Sequence, residues 1–172
     1  MLKMADYRLS EEIFSREAAC SKEPQYAFLF PYGYRPEVGF QSNVESITQA
    51  SMDADGNVIG FINSEYDHDL NAIVGVTMVN FSGKPSIAFG KDVLAYFRYI
   101  FEELKIDKVD WYASAGTSSE GFNDNVAKML GGRVVGVLRK NSRDINGKFY
   151  DTKIYEAMKE DYFSQKEKGI LR

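Results

Sequence analysis

The sequence predicts an α/β fold, an α+β mixed sheet with helices against it, and three observations carry that prediction. Between Val44 and Val79, apolar runs rich in β-branched residues alternate with short turn clusters, the pattern of an antiparallel meander. From Asn71 to Gly132 the pattern changes to strand, loop, helix, strand, helix. After Gly132, two strand-like runs flank Asn146-Gly147, a tight-turn dipeptide. A meander followed by strands alternating with helices gives a central mixed, mostly antiparallel sheet flanked by helices.

Taken in order, Lys3 to Leu9 reads as a first strand. Ser10-Glu11-Glu12 reads as a helix start, a serine cap with acids in the first turn. Ile13, Phe14, Ala18 and Ala19 would be that helix's buried stripe, and Lys22-Glu23-Pro24 ends it. Val44 to Ala50 leads to the turn Asp53-Ala-Asp-Gly-Asn57, followed by the strand Val58 to Ile62. That turn is not a calcium loop: Ser64 stands where the bidentate glutamate belongs. Tyr66 to Asp69 connects to a buried strand, Asn71 to Val79. His68, the only histidine, reads as a solvated loop residue and gives no metal cluster.

A loop with Gly83, Lys84 and Pro85 then leads to a helix from about Gly90. Val93, Phe97, Ile100, Phe101 and Leu104 share one of its faces. Lys108 to Ala113 is the next strand, with Val109, Trp111 and Ala113 on one side and Asp110 and Tyr112 on the other. Thr117 and Glu120 have capping-box spacing. The helix after them sets Phe122, Val126, Met129 and Leu130 on one side and stops at Gly131-Gly132. Arg133 to Arg139 and Lys148 to Met158 form the terminal hairpin, and Ser164 to Arg172 reads as a polar, frayed end.

Bulk properties narrow the function classes. At 172 residues, with no internal repeat or linker, residues 1–172 read as one domain with one core. A net charge of −4, from 21 basic and 25 acidic residues, argues against nucleic acid as the main partner. Cys20 stands alone, so no intramolecular disulfide forms, which suits a reducing compartment. No run approaches the ~18 apolar residues of a membrane span, and the first residues lack the apolar core of a signal peptide. The expectation is a cytoplasmic protein with no membrane partner.

The familiar catalytic motifs are missing. Ser82-Gly-Lys-Pro85 is not a phosphate-binding P-loop, because Met78 replaces the first glycine and Pro85 the hydroxyl residue. There is no Gly-x-Gly-x-x-Gly for a dinucleotide and no Gly-x-Ser-x-Gly elbow. What remains is a strand, a loop and a helix N-terminus. Backbone N–H groups at Phe89, Gly90 and Lys91, with the charges of Lys84 and Lys91, would suit a pyrophosphate.

Phe101-Glu-Glu-Leu104, the strand Val109 to Ala113, Met129-Leu-Gly131, Gly136-Val-Leu-Arg139, Gly147 and Asp151 together resemble the GCN5-related N-acetyltransferases (GNAT). Within that family they look most like the ribosomal-protein alanine acetyltransferase branch. The resemblance covers roughly Ser51 to Tyr162. It implies the GNAT-like acyl-CoA N-acyltransferase fold and acetyl-CoA as co-substrate. The acceptor it implies is a primary amine on a small molecule, peptide or protein N-terminus. The backbone at Met78 and Val79 would polarise the thioester carbonyl. The family's loop carries Gln/Arg-x-x-Gly-x-Gly/Ala, and here Pro85 and Ile87 fall at its glycine positions. Pro85 removes a donor. Either the loop takes another path, with Gly83 and Gly90 supplying freedom, or cofactor affinity is low.

Glu120 and Ala127 occupy the places of the family's helix Asn and of the Tyr that protonates the departing thiolate. Asn123 and Asn125 would bond pantetheine amides instead. Glu65 is the candidate base through a water, and Tyr112 and Tyr155 are candidate proton donors. Tyr26, Phe28, Phe30, Tyr32 and Tyr34 fall on every second residue. They read either as coil over the core or as an aromatic wall; the resemblance gives that place to the acceptor, hence Phe30, Tyr32 and Tyr34. An alternative function keeps the fold without the chemistry: a ligand- or partner-binding module with Tyr26 to Tyr34 as its contact surface. The exposed edge of the terminal hairpin leaves monomer and homodimer open.

Overall fold

The computed structural model describes residues 1–27, 29 and 45–171. Its elements are β1 (Leu2–Met4), α1 (Tyr7–Cys20), a 3₁₀ turn (Pro24–Tyr26), β2 (Ser46–Met52), β3 (Val58–Asp67), β4 (Ala72–Asn80), α2 (Ile87–Arg98), β5 (Lys108–Ser114), α3 (Ser118–Leu130), β6 (Arg133–Arg143), β7 (Phe149–Met158) and α4 (Lys159–Glu167). The strands form one seven-stranded sheet in the order β1-β2-β3-β4-β5-β7-β6. Among the described residues only β4 and β5 pair in parallel.

The layers follow from which strand positions are apolar. Ile62, Ile73, Val76, Val109, Trp111, Tyr155 and Ala157 face one side and pack with α2, α3 and Tyr162 of α4. Ala50, Phe61 and Val79 face the other side and pack on Ile13 of α1. Alternation along each strand sends successive residues to the two layers. The layers are also tied by polar contacts: Ser51 Oγ donates to the buried Asp92 of α2 (2.7 Å), and the Tyr96 and Ser64 hydroxyls bond each other in the interior.

Several boundaries differ from the sequence expectation. The first strand ends at Met4, and the first helix starts at Tyr7 with Asp6 as its cap, Asp6 Oδ1 accepting from Leu9 N–H (2.9 Å). Ser10 is therefore not the cap but part of the buried stripe, with Ile13, Glu17 and Cys20. Aspartate caps as well as serine does, and the earlier signal prevails. Leu104 does not join the α2 stripe. Tyr99–Glu103 is a π-helical turn, closed by Leu104 N–H on Tyr99 O (3.1 Å), and the extra residue turns Leu104 outward.

The capping box at Thr117 does not form as drawn. Thr117 Oγ1 donates to Ser114 O (2.7 Å), and Glu120 Oε2 accepts from Gly116 N–H (2.7 Å) instead of the cap residue's N–H. The end of the chain is not a frayed tail from Ser164. Residues through Glu167 belong to α4, and Tyr162 stacks on Phe101 with ring centroids 4.8 Å apart. The Tyr162 hydroxyl donates to Glu102 Oε1 (2.5 Å), and Lys166 Nζ reaches Glu102 Oε2 (2.7 Å).

Candidate active site

The site begins where the sheet opens. β4 and β5 pair from Ala72/Lys108 to Val76/Trp111 and no further, although both strands continue. Gly75, at φ 63°, makes the irregularity, and its N–H is taken by Asp110 Oδ1 (3.0 Å). A side chain would strain that backbone. Past this point the two strands part, and the edge of β4 that faces β5 has no ladder partner.

Which amides face the gap follows from the β3–β4 ladder. Phe81 N–H donates to Ile59 O (2.9 Å), so alternation also turns the Val79 N–H toward β3. The Met78 amide points the other way, into the gap. Of the two backbone positions expected to polarise a carbonyl, Met78 has an open donor and Val79 does not. The Val79 side chain also lies on the opposite layer, against α1.

A cleft of about 410 Å³ extends from this gap between the β4–α2 loop and the N-terminal halves of α2 and α3. Of the residues singled out in the sequence, it brings together Met78, Gly83, Lys84, Phe89, Asn123 and Asn125. Val79, Gly90 and Lys91 do not line it. The first turn of α2 also shifts the open donors. Ser86 caps the helix, its Oγ accepting from Phe89 N–H (3.2 Å), and Gly90 N–H bonds Ser86 O (2.9 Å). The N–H groups with no helical acceptor are thus those of Ile87 and Ala88, two to three residues earlier than expected.

The loop takes a path of its own, with Gly83 at φ 63°. Asn80 braces it: Nδ2 donates to Lys84 O (2.7 Å) and Oδ1 accepts from Ser82 N–H (2.9 Å). The Tyr26 hydroxyl donates to Phe81 O (2.5 Å), latching the segment after α1 onto the loop's start. Burial raises the Tyr26 pKa to about 12, so the hydroxyl remains a donor at neutral pH. Asn80 and Ser86 were missed by sequence reasoning, and Tyr26, singled out only within the aromatic segment, was not connected to this loop. Ser86, three residues before Phe89, carried a readable cap signal; Tyr26 reaches the loop only through the tertiary fold.

On α3, Asn123 is buried. Its Nδ2 donates to Ser119 O (2.8 Å), while its Oδ1 has no hydrogen-bond partner among the described residues. An unsatisfied buried acceptor costs about 1–3 kcal/mol, and this one belongs to a residue of the cleft wall. Asn125, by contrast, is exposed at the rim.

The candidate catalytic residues do not converge on the cleft. Glu65 is exposed in β3 opposite Val74, about four residues or ~13 Å along the strand from the Met78 level. The strand was expected to end at Ile62; it runs through Asp67 and carries Glu65 away. Tyr112 is half exposed on the face opposite Trp111. Tyr155 stacks on Trp111, with centroids 5.3 Å apart and planes at 7°, and its hydroxyl donates to Asp124 Oδ1 (2.7 Å). Burial, then the Asp124 carboxylate, push the Tyr155 pKa up, so the phenol holds its proton on Asp124 and lies outside the cleft. Phe28, Phe30, Tyr32 and Tyr34 fall outside the described residues.

Asp124 belongs to a network that clamps α3 to β7. Lys153 Nζ contacts Glu120 Oε1 (2.5 Å) and Asp124 Oδ1 (3.1 Å). The bond from Lys153 holds the Glu120 carboxyl below its usual pKa, and the Tyr155 hydroxyl does the same for Asp124. Depressed folded-state pKa values mean stability that is present above the unfolded values, near 4, and is lost as pH falls through the folded ones. Thermal melts between neutral pH and about pH 3 are therefore expected to show an acid limb, modest in size because both carboxylates are solvent-accessible. Lys153→Met should flatten that limb; an unchanged slope would show that the Lys153 bonds carry none of it and leave only the Tyr155–Asp124 bond.

No family model matches the sequence, and no curated protein matches it. Solved structures do. A spermidine N-acetyltransferase from Vibrio cholerae, in complex with CoA and spermine, superposes with a TM-score of 0.74 at 13% identity, covering 95% of this chain and 97% of that one. A GCN5-related N-acetyltransferase from Brucella melitensis gives a TM-score of 0.68 at 17% identity, covering 96% of this chain and 78% of that one. No helix among the described residues is long and apolar enough to cross a membrane. At these TM-scores and coverages the likeness is one of fold, and the chain has the fold of the GCN5-related N-acetyltransferases.

Proposed function

We propose that this chain is an N-acetyltransferase that takes acetyl-CoA and a primary amine, working as a single domain in the cytoplasm. The observation that carries the reading is the buried, unpartnered Asn123 Oδ1 in the wall of a cleft that starts at the open Met78 amide. The residues fit the co-substrate. Asn123 Oδ1 accepts from a pantetheine amide, the Ile87 and Ala88 N–H groups with Lys84 receive the pyrophosphate, and Met78 N–H binds the thioester oxygen. The V. cholerae neighbour holds CoA on the same fold, which supports this assignment.

Acetyl-CoA supplies the thioester: attack by the amine nitrogen forms the amide C–N bond, the C–S bond breaks, the amine's proton passes to water, and CoA leaves as a thiolate. The chain holds the two reactants together, which accounts for much of the expected acceleration. Neither Tyr155 nor Tyr26 is free to protonate the thiolate, since Tyr155 is held by Asp124 and Tyr26 by Phe81 O, and Tyr112 does not line the cleft. A thiol of pKa about 8.5 is a workable leaving group without one, and loss of a general acid typically costs about 10²–10⁴ in rate. A slow enzyme is the expectation.

For the acceptor, the sequence resemblance favours a protein N-terminal alanine, and the V. cholerae neighbour's spermine favours a polyamine. A panel holding an alanine-ended peptide and spermidine, read by thiol release, separates them. The second reading, a binding module without turnover, is favoured by the β4–α2 loop, whose Asn80 and Ser82 bonds are made within the loop itself.

Binding is tested first. Millimolar CoA is expected to raise the melting temperature by mass action. Asn123→Leu should melt at least as high without ligand, because an unsatisfied acceptor is gone, yet respond to CoA much less. A melting curve that CoA leaves unmoved removes the cofactor assignment. CoA binding with no turnover across the panel selects the binding module.

A further inference from the structure

The loop between β4 and α2 is braced mostly from within. Asn80 Nδ2 and Ser82 Oγ both donate to Lys84 O, at 2.7 and 3.0 Å. Among the described residues, two hydrogen bonds tie residues 81–85 to the chain outside β4 and α2. One is the ladder bond from Phe81 N–H to Ile59 O, and the other is the bond from the Tyr26 hydroxyl to Phe81 O. Tyr26 is only 3% exposed, and it packs with Cys20, Leu29 and Phe81 in a small core of its own.

The Phe81–Ser82 peptide is thereby held at both ends. Its carbonyl takes the Tyr26 hydroxyl, and its N–H, on Ser82, donates to Asn80 Oδ1 (2.9 Å). A planar amide gripped at oxygen and nitrogen has a fixed orientation. The chain then turns at Gly83, with φ 63°. A Cβ added there would stand 3.0 Å from the Tyr26 hydroxyl oxygen and 3.3 Å from the ring carbon that carries it. The phenol is thus the post around which the loop turns before Ser86 caps α2.

We propose that Tyr26 is the positioning residue of the cofactor loop. Its hydroxyl fixes the turn that sets Lys84 and the first amides of α2 against the phosphates of CoA, and it takes no part in holding the pantetheine arm. The proposal rests on the cofactor reading given above. The division of labour follows from where the bonds go. Tyr26 is bonded to the start of the loop, whereas the groups assigned to the pantetheine and the thioester, Asn123 and Met78, sit on α3 and β4 and receive no hydrogen bond from it. Loss of the hydroxyl therefore releases one end of the Phe81–Ser82 peptide and leaves the rest of the cleft wall in place.

The test compares two ligands on the wild type and on Tyr26→Phe, with circular dichroism to confirm that both are folded. CoA carries the phosphates; pantetheine lacks the pyrophosphate and the nucleotide. Ligand-observed NMR titrations read both, including millimolar affinities. Tyr26→Phe is expected to bind CoA roughly tenfold more weakly, the scale of one hydrogen bond, and to bind pantetheine as the wild type does. A merely structural tyrosine would lower the melting temperature and leave the CoA affinity of the folded protein unchanged, and that result overturns the proposal. An equal loss for pantetheine also overturns it, since the whole cleft would then have moved. If the wild type takes CoA and no pantetheine, all of the affinity lies with the phosphates and the CoA comparison alone decides. A wild type that binds neither removes the cofactor reading together with the proposal. Should Tyr26→Phe fail to fold, Gly83→Ala presses on the same hydroxyl from the loop side: a selective loss of CoA affinity is expected, and an unchanged affinity overturns the proposal.

Discussion

Trp111→Ala is expected to cost about 3–5 kcal/mol and to lower the melting temperature by roughly 6–20 °C. No other single truncation in the chain should approach the point of unfolding so closely, because a domain of this size has only about 5–15 kcal/mol in hand. Trp111 is fully buried and is the largest such side chain. One face lies against Tyr155 with nearly parallel planes, and Phe97 of α2 sits at 5.6 Å between centroids. It is also the last residue of β5 to pair with β4, opposite Val76. The ring therefore packs at the point where the sheet begins to part, and its loss should loosen the cleft as well as the core.

The indole nitrogen has no acceptor among the described residues, so the contribution is one of area and stacking and not of a hydrogen bond. Trp111→Phe should consequently recover most of the loss. Denaturant melts of the two variants, each with and without CoA, check this. Equal destabilisation by Phe and Ala would mean that the indole N–H has a partner.

Strands were legible because their apolar residues alternate or cluster, and that signal is local. The meander, the hairpin at Asn146-Gly147 and the buried face Val109, Trp111 and Ala113 all follow from it. Starts and ends were less legible because competing caps lie within one turn of each other. Asp6 prevails over Ser10, and Ser86 over the helix start expected at Gly90. The π turn after Arg98 has no local signature in Tyr99 to Glu103, so Leu104 was placed on the wrong face.

The site divides in the same way. Met78, Gly83, Lys84 and Phe89 share one strand–loop–helix and could be placed from it. Asn123 was singled out by its residue type, but its unpartnered oxygen emerges only when α3 packs on the sheet. Tyr26 comes from the segment after α1, more than fifty residues before the loop it latches, so only the tertiary fold brings the two together. Glu65 was misplaced because β3 runs five residues beyond its apolar stretch, through Asp67, on polar residues that a period-based reading assigns to a connection.

Two glycines that pack near the cofactor loop without lining the cleft should respond oppositely to alanine. Gly60 lies on β3 opposite Asn80, facing α2. A Cβ there would collide with the Val79 carbonyl and come within 2.7 Å of the Phe89 ring. Overpacking of this kind costs about 1–3 kcal/mol. Neither neighbour can yield cheaply: the carbonyl belongs to the central ladder, and Phe89 is buried as the third residue of α2. Since Phe89 also lines the cleft, Gly60→Ala should reduce both stability and the CoA-induced melting shift.

Gly90 is the opposite case. Nothing lies within 4 Å of its added Cβ, and its φ is not positive. As a residue inside α2 it should gain about 0.5–1 kcal/mol on replacement by alanine. If instead the loop needed Gly90 for backbone freedom, as the sequence left open, Gly90→Ala would weaken CoA binding. The geometry expects Gly90→Ala to melt higher with its CoA response intact, and Gly60→Ala to lose on both measures. A reversal of that order would place the flexible point of the cofactor loop inside the helix and not at Gly83.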